Sequence, residues 1–320
     1  MQDALTDEGW DVVGDVHGCA SQLVELLTAM GYDDSDGGWR HPRRRVVFVG
    51  DLIDRGPENV VAVHIARSMV EAGAARIVAG NHEFNAIAYA TRDPERQGRY
   101  LRDHVRKGPE HQVFLDQVAF DSASHRTMID WFRTLPLWLD LDGLRVVHAC
   151  WDDTSIDTIR RTLDPDDPMP TAFVERATRH GTDEWQAIEY LLKGPEVAVE
   201  PAYLDKGGTR RTNARFRWWD PEASTLRSGA LIPANTTTPT GEDYPALPDT
   251  PIEPPVDPYR SEVPLIYGHY WESGTPSRSS AKTACVDYSA VKGGELVAYR
   301  WSGESDLRDE NYLAVPGHRV

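Results

Sequence analysis

Residues 10–19 read "WDVVGDVHGC", a short apolar strand that ends on two potential metal ligands, Asp15 and His17. Side chains two residues apart on an extended chain point the same way, and Gly14 and Gly18 let backbone or a ligand come close. A carboxylate and an imidazole on one side of the chain are typical of a metal site. The stretch therefore predicts metal binding at the end of the first strand.

Four further stretches have the same form, a mostly apolar strand followed at once by potential ligands. They read "VVFVGDLIDRG" (46–56), "RIVAGNHE" (76–83), "RVVHAC" (145–150) and "LIYGHY" (265–270). Ligand sites in α/β sheets gather outside the carboxyl ends of strands, so we expect the five strand ends to converge. The expected metal ligands are Asp15, His17, Asp51, Asn81, His148 and His269.

This mixed oxygen and imidazole set suits manganese, iron or zinc better than calcium. A single ion cannot use all six side chains comfortably. Two ions about 3.5–4 Å apart, bridged by one carboxylate, would use them and are the usual arrangement for displacement at phosphorus. We therefore expect two divalent cofactor ions, manganese first and iron or zinc as alternatives, with Asp51 as the bridge.

The elements around these stretches alternate in the α/β manner. Helical periodicity over 20–31 and 57–73 separates strands at 11–13, 44–50 and 75–80, and Pro57 is expected in the first helical turn. Two more helices are expected around 110–120 and 124–134, before a hairpin that turns at Asp142-Gly143. Strand patterns resume after residue 260, so the whole chain is interpreted as one domain, residues 1–320.

The middle of the chain has a different texture. Helical patterns reach Leu192, a polar segment follows, and residues 245–258 form the proline-rich run "PALPDTPIEPPVDP". Such a run cannot join the interior of a sheet and is expected to be an extended surface loop. We interpret about 155–260 as a cap-like insertion of helices and loops in the single domain.

Composition and charge narrow the classes of function. With 40% hydrophobic and 27% charged residues, the chain has the make-up of a folded globular protein. A formal net charge of −17 disfavours extended nucleic-acid binding, whereas a phosphorylated small molecule, nucleotide or phosphoprotein remains a suitable substrate. No apolar stretch is long enough to cross a membrane and no signal peptide is evident, so a cytoplasmic location is expected.

The motifs "GDVHG" (14–18), "GDLIDRG" (50–56) and "GNHE" (80–83) together resemble the signature of the calcineurin-like metallophosphoesterases, specifically the phosphoprotein-phosphatase branch. That branch includes serine/threonine phosphatases, symmetrical diadenosine tetraphosphatases and bacterial relatives of both. The resemblance implies a four-layer α/β/β/α sandwich, two mixed sheets flanked by helices, with a dimetal centre. It also implies attack on phosphorus by a metal-bound hydroxide.

The resemblance also distributes roles over individual residues. It implies that Asp15 and His17 hold one metal, that Asp51 touches both, and that the other metal is held by Asn81, His148 and His269. It further implies that His82 protonates the leaving oxygen, that Asp54 orients its imidazole, and that Arg55 grips the phosphate. These roles suit an imidazole that titrates near neutrality and a guanidinium that matches two phosphate oxygens. Glu83 is expected to be a carboxylate at a helix start that supports the ligands without binding metal.

The stretch "KGGTRRTNARFRWWD" (206–220) concentrates arginine in an acidic protein and allows two interpretations. It is either an exposed strand with Arg215, Arg217 and Trp219 on one face, or a substrate-binding patch in which Arg215 and Arg217 bind phosphate.

Three functions follow as hypotheses. "GNHE" resembles the protein phosphatases and favours a phosphomonoester substrate, such as phosphoserine or phosphothreonine in a protein. "GDVHGC" and "DRGPENV" resemble bacterial tetraphosphatase relatives and the phosphatase module of bacterial RNA-repair enzymes. A dinucleoside polyphosphate is favoured if the Arg/Trp stretch faces the metals. The third hypothesis is a non-catalytic binding module that keeps the fold.

Overall fold

Thirteen strands and nine α-helices make up the part of the chain that a computed structural model describes, residues 9–34, 37–102, 109–164, 167–205 and 208–317. The strands are β1 Gly9–Val13, β2 Arg44–Phe48, β3 Ala75–Ile77, β4 Trp138–Leu141, β5 Leu144–Val147, β6 Glu196–Leu204, β7 Arg210–Phe216, β8 Ala230–Leu231, β9 Leu265–Tyr267, β10 Thr283–Cys285, β11 Asp287–Tyr288, β12 Glu295–Trp301 and β13 Tyr312–Pro316. The helices are α1 Ala20–Ala29, α2 Asn59–Glu71, α3 Asn81–Ala90, α4 Pro109–Gln117, α5 Ala123–Arg133, α6 Asp153–Arg160, α7 Thr171–Thr178, α8 Asp183–Lys193 and α9 Leu226–Gly229.

Two mixed sheets form the centre of the molecule. The first has the order β11-β12-β1-β2-β3, with β13 also paired to β12, and the second has the order β10-β9-β5-β4. Valines at alternate positions, such as Val12 and Val47, pack against Val146 and Ile266 of the second sheet. The outer faces of both sheets belong to a larger apolar cluster that includes the helices. The predicted α/β sandwich of two mixed sheets flanked by helices is therefore confirmed.

Parallel pairing explains how distant ligands come to share one edge. β1, β2 and β3 run parallel, and so do β5 and β9, so the carboxyl ends within each group point the same way. The expected ligands follow these ends within a few residues, from Asp15 after β1 to His269 after β9. The edge at which the two sheets present these ends is the place of the candidate site.

The predicted start of α2 is wrong by two residues. Pro57 lies before the helix, which begins at Asn59. The reason is a side chain that fixes the preceding loop. Asn59 donates its amide N–H to the Gly56 carbonyl at 2.7 Å and accepts from the Asp54 backbone N–H at 2.5 Å. Residues 54–58 therefore form a tight turn instead of the first helical turn.

The segment interpreted as an insertion has two structurally different parts. Helices α6–α8 contribute to the large core cluster through residues such as Ile156, Phe173 and Leu191. Strands β6, β7 and β8 form a separate three-stranded sheet with a small apolar cluster of its own. Residues 245–258 hold no helix or strand, as predicted for the proline-rich run. Whether 155–260 acts as a cap within a single domain stays a prediction. Within the described residues, no helix is both long and apolar enough to cross a membrane.

Candidate active site

Two clusters of potential metal ligands share Asp51. Within each cluster, one donor atom of every residue lies within 4.8 Å of the others. One cluster holds Asp15, Asp51, His148 and His269, and the other holds His17, Asp51 and His82. Asn81 joins the first, because its Oδ1 lies 3.2 Å from His148 Nε2. The structure therefore brings all six predicted metal ligands together, with Asp51 at the junction.

Backbone carbonyls fix the orientation of two of the histidine rings. His17 donates its Nδ1–H to the Ile53 carbonyl at 2.9 Å, and His148 donates its Nδ1–H to the Val49 carbonyl at 2.7 Å. Both rings then present Nε2 to Asp51 Oδ2, at 3.4 Å and 3.5 Å. A ligating histidine is usually held in this way, with its second ring nitrogen bonded so that the tautomer and ring direction are set.

Asp15 belongs to the cluster of Asp51, His148 and His269, and its predicted pairing with His17 on one metal stays a prediction. The His269 backbone N–H donates to Asp15 Oδ1 at 3.3 Å. Gly268 makes this approach feasible, since a Cβ there would lie 2.2 Å from Asp15 Oδ1. The loops after β1 and β9 therefore approach each other closely at Asp15.

The donor set fits divalent cations. Asp15 Oδ2 and His269 Nδ1 are buried and have no hydrogen-bond partner among the described residues. Buried polar atoms without a partner are rare and costly in native structures, and each such atom calls for an explanation. A cation bound between these lone pairs would supply the missing partner.

Electrostatics at the centre point in the same direction. Burial alone would raise the pKa of Asp51, but the charges of His148 and His82 outweigh it and hold that pKa well below its usual range. Burial, and next to it the Asp287 carboxylate, raises the pKa of Asp15 well above its usual value. Negative charge is therefore concentrated in a buried pocket, where a divalent cation is the natural counter-charge.

Glu83 supports the loop that carries Asp51, as predicted for a carboxylate at a helix start. Its Oε2 accepts the backbone N–H groups of Asp51 and Gly80 at 2.8 and 2.9 Å, and its Oε1 accepts that of Leu52 at 2.8 Å. Glu83 is fully buried and forms no part of either ligand cluster. It ties the start of α3 to the turn after β2.

A chain of three polar side chains lies beside the ligands. His82 donates Nδ1–H to Asp54 Oδ2 at 2.6 Å, and His111 of α4 donates Nδ1–H to Asp54 Oδ1 at 2.9 Å. His82 Nε2 lies 3.9 Å from Asp51 Oδ2. Burial alone would raise the pKa of Asp54, but hydrogen bonds from His111 and His82 lower it to about 2. Asp54 is therefore a carboxylate that accepts from both rings.

Two arginines lie beside the ligand clusters, one at His17 and one at His269. Arg55 donates from Nη1 to His17 Nε2, and Arg215 of β7 donates to the His269 carbonyl and to His269 Nε2 at 2.8 and 2.9 Å. Both approach the Trp271 ring, with the Arg55 guanidinium carbon 4.8 Å and that of Arg215 5.9 Å from its centroid. Two cations on one aromatic side chain form a positively charged rim above the ligands.

Arg217 does not reach this rim. β7 ends at Phe216, and the Arg217 backbone N–H donates to the carbonyl of Gly229 at the end of α9. The strand alternation that would align Arg217 and Trp219 with Arg215 therefore stops, and Trp219 is buried. Arg217 lines two other surface pockets and is absent from the lining of the cavity beside the ligands. Arg217 therefore does not lie beside Arg215 at this cavity, and its role in substrate binding stays a prediction.

A cavity of about 670 Å³ opens above the ligand clusters. Arg55, Asn81, Arg215 and His269 form its floor on the ligand side. The opposite wall comes from the small sheet and its connections, and contributes Tyr203, Asp205, Arg211, Asn213 and residues 231–235. The size lies within the range of small-molecule sites, about 300–1,000 Å³.

Left-handed backbone is concentrated at this site. Positive φ angles, from 44° to 73°, occur at His17, Asp51, Asp54, Arg55 and His269. A residue other than glycine in this region costs about 1–3 kcal/mol and persists where the surrounding structure over-determines it. The loops after the strands therefore accept strain at the positions that aim the ligands and Arg55.

A family model described as calcineurin-like phosphoesterase matches residues 11–197, more than half of the chain. The chain belongs to this family. The match spans the strands that carry Asp15, Asp51, Asn81 and His148, whereas His269 and Arg215 lie beyond it.

Curated relatives of this metallophosphoesterase bear the name bis(5'-nucleosyl)-tetraphosphatase. An asymmetrical form from Halalkalibacterium halodurans is 43% identical over 74 residues, 23% of this chain and 30% of the relative. A symmetrical form from Marinomonas sp. (strain MWYL1) is 24% identical over 313 residues, 95% of this chain and 96% of the relative. The match thus covers about 30% of the length of the asymmetrical relative and nearly the whole length of the symmetrical one. Among solved structures, a protein serine/threonine phosphatase from Saccharomyces cerevisiae is 14% identical with a TM-score of 0.49, covering 97% of this chain and 80% of that one.

Two residues of the metallophosphoesterase site, His111 and Trp271, are not predicted by the sequence analysis. His111 lies within a helix, without the strand-end context that marks the ligands, and its partner Asp54 is 57 residues away. Trp271 follows His269 closely, so a search of the residues flanking each ligand would have found it. No local pattern identifies His111.

Proposed function

We propose that this metallophosphoesterase is a metal-dependent hydrolase that cleaves a phosphoanhydride bond of a dinucleoside polyphosphate. The observation that carries the proposal is the single cavity in which Arg55 and Arg215 flank the ligand clusters while the small sheet forms the opposite wall. The names of the bacterial relatives support the same substrate class.

The residues that would hold two divalent ions are Asp15, His17, Asp51, Asn81, His148 and His269. Bound there, the ions would supply Lewis acidity, which neutralises phosphate charge and lowers the pKa of a water molecule. Manganese is the first candidate and iron or zinc are alternatives, because the set mixes oxygen and imidazole donors.

The chain itself supplies a proton donor and a phosphate clamp in this proposal. His82, held by Asp54 at 2.6 Å, protonates the leaving oxygen from Nε2. Arg55 and Arg215 bind phosphate oxygens through their planar, multidentate guanidinium groups. Their own contacts to His17 and His269 place both guanidiniums beside the ligand clusters.

The extent of the cavity favours a polyphosphate over a lone phosphate ester. A single phosphoryl group needs only the ligand clusters and Arg55, whereas the cavity continues past Arg215 to Tyr203, Arg211 and Asn213. Asn213 offers hydrogen bonds and Tyr203 an aromatic ring to a nucleoside, while the Arg211 guanidinium is paired with Asp205 at 2.8 Å. The sequence favours a dinucleoside polyphosphate if the Arg/Trp stretch faces the metal ligands. This condition is met in part, because Arg215 of that stretch faces the ligands and Arg217 does not.

A phosphomonoester substrate is the second candidate, and it rests on the "GNHE" motif. Glu83, the residue that gives this motif its likeness to protein phosphatases, binds backbone N–H groups of the Asp51 loop and does not line the cavity. The motif therefore stabilises the loop that carries a metal ligand, and it gives little information about the substrate. The phosphomonoester hypothesis stays open for the assay to decide.

One assay separates the candidates. Purified protein with manganese is given diadenosine tetraphosphate, a phosphoserine peptide and a 5'-phosphorylated RNA end, and product formation is measured with and without chelator. We expect the highest kcat/KM for the dinucleotide, and loss of turnover with chelator. A higher kcat/KM for the phosphopeptide would overturn the substrate assignment. A fully metallated protein that is inert on all three would indicate a binding module.

A further inference from the structure

We propose that His111 is a positioning residue for catalysis, which fixes the Asp54 carboxylate and through it the direction of the His82 ring. The proposal rests on the role of His82 in the proposed function. Its basis is the geometry of Asp54, whose two carboxylate oxygens each accept from a different histidine, at 2.6 Å from His82 and 2.9 Å from His111.

One hydrogen bond cannot fix a carboxylate. The terminal torsion of an aspartate side chain is broad, so Asp54 held by His82 alone could swing about χ2 and take the imidazole with it. A second N–H on the other oxygen sets the plane of the carboxylate. The acceptor direction offered to His82 Nδ1 is then defined, and so is the direction in which His82 Nε2 points.

The surroundings of His111 indicate that its polar ring serves the hydrogen bond to Asp54. His111 is 3% exposed, and its ring packs against Tyr89 of α3 at 4.7 Å and Phe114 of α4 at 5.5 Å between centroids. Its Nε2 is buried and has no partner among the described residues. A purely apolar side chain would fill the same space without leaving a buried nitrogen unsatisfied. The hydrogen bond to Asp54 therefore explains why an imidazole occupies this position.

The same contact could act only as a structural link between α4 and the turn after β2. The two roles differ in their kinetic consequence. A structural link that loosens the site slows every substrate alike, whereas misdirection of a proton donor slows poor leaving groups more than good ones. The leaving-group dependence is therefore the decisive readout.

Two variants separate the hydrogen bond from the packing. His111→Phe keeps an aromatic ring against Tyr89 and Phe114 but removes the donor, whereas His111→Asn keeps a donor near the position of Nδ1. Rates are measured with manganese on 4-nitrophenyl phosphate and phenyl phosphate. We expect H111F to lose about tenfold on phenyl phosphate and about twofold on 4-nitrophenyl phosphate, a fraction of the 10²–10⁴-fold typical of general acid catalysis. We expect H111N to stay within about threefold of wild type on both, because the donor is kept.

His82→Asn serves as the reference, so that failure of the inference and failure of the proposed function can be told apart. H82N is expected to show the same bias toward good leaving groups, and more strongly. A bias in H82N without one in H111F would overturn the role of His111. Equal slowing of both substrates by H82N would overturn its acid role and with it the proposal for His111.

A spectroscopic measurement tests the geometry without turnover. Nδ1–H protons bonded to a buried carboxylate resonate far downfield in proton NMR spectra and exchange slowly. We expect the His82 Nδ1–H signal to shift upfield and exchange faster in H111F, and to stay unchanged in H111N. An unchanged signal in H111F would overturn the proposal. If H111F does not fold, His111→Gln replaces it, because the glutamine amide lies at the ε position, beyond the reach of Asp54.

Discussion

The two walls of the cavity are built by different means. On one wall, all six predicted metal ligands are buried, at most 8% exposed, and follow the ends of paired strands. On the other wall, Glu196, Arg211, Asn213 and Asn235 are exposed and belong to the small sheet and its loops. The first wall is built from the central sheets, whereas the second has a small apolar cluster of its own and joins the main core through Val197, Phe216 and Leu231.

The difference teaches that one wall serves the reaction and the other serves the choice of substrate. Groups that hold cations and a proton donor need fixed positions, and a sheet edge with tight loops provides them. Groups that recognise the remainder of a substrate tolerate looser positions on a surface sheet. We therefore expect substitutions on the ligand wall to affect every substrate, and substitutions on the opposite wall to change preference among substrates.

The largest effect is expected for Asp51→Ala, which removes the carboxylate shared by both clusters. Without it the histidines lose their common counter-charge, and kcat/KM is expected to fall by about 10³-fold or more, the several kcal/mol that metal ions supply to a charged transition state. Metal content by elemental analysis should fall in parallel. Asp157→Ala, on an exposed face of α6, is the matched control and should keep both. Normal metal content with full activity in D51A would contradict the proposed functional difference between the two walls.

A smaller effect is expected for Arg215→Ala, which removes a cation at the border between the walls. Loss of a hydrogen bond to a charged group, about 1.5–3 kcal/mol, predicts a fall in kcat/KM of about 10- to 100-fold. Arg217→Ala is the matched control, because Arg217 is two residues along the chain and outside the cavity. It should stay within about twofold of wild type, as surface substitutions usually do. Equal losses of kcat/KM in both variants would indicate that Arg217 also binds the substrate.

Trp271→Ala tests how the two arginines are kept side by side. The ring interacts with Arg55, Arg215 and the Lys292 ammonium group, which lies 3.6 Å from its centroid. Loss of cation–π contacts of about 0.5–2 kcal/mol predicts a decrease in kcat/KM of about 3- to 30-fold. Trp271→Phe keeps an aromatic face and should recover most of that loss. Assays at increasing salt provide the check, and equal activities of the alanine and phenylalanine variants would contradict the role of the ring.

The smallest effect is expected on the exposed wall. Asn213→Ala removes a polar side chain that lines the cavity, while Thr212→Ala changes its neighbour, which does not. A single neutral hydrogen bond of about 0.5–1.5 kcal/mol predicts a change of about 2- to 10-fold in the ratio of rates on diadenosine tetraphosphate and 4-nitrophenyl phosphate. The rate on 4-nitrophenyl phosphate should be unaltered in both variants. If N213A slows both substrates equally, the two walls are not functionally separate.

The ligand wall was open to prediction from sequence because its signal is local. Each ligand stands within a few residues of an apolar strand, and the parallel pairing of β1 with β2 follows from the α/β alternation of the first half of the chain. The family resemblance placed His82, Asp54 and Arg55, and the structure has all three beside the ligands.

The opposite wall gave no comparable signal. In β7, Arg210 to Asn213 are all exposed, so the strand shows no alternation over its first half. Its last residues alternate, but the chain leaves the sheet at Phe216, and the extrapolation to Arg217 therefore failed. His111 was missed because a contact to Asp54 across 57 residues depends on how α4 packs, which no window of sequence contains.

The left-handed backbone at His17, Asp51, Asp54, Arg55 and His269 has an evolutionary consequence. Glycine or asparagine at these positions would relieve a conformational cost that the present side chains impose on the native state. A laboratory selection that rewards only survival on heating should therefore accumulate such replacements here first, and erase turnover as it does so.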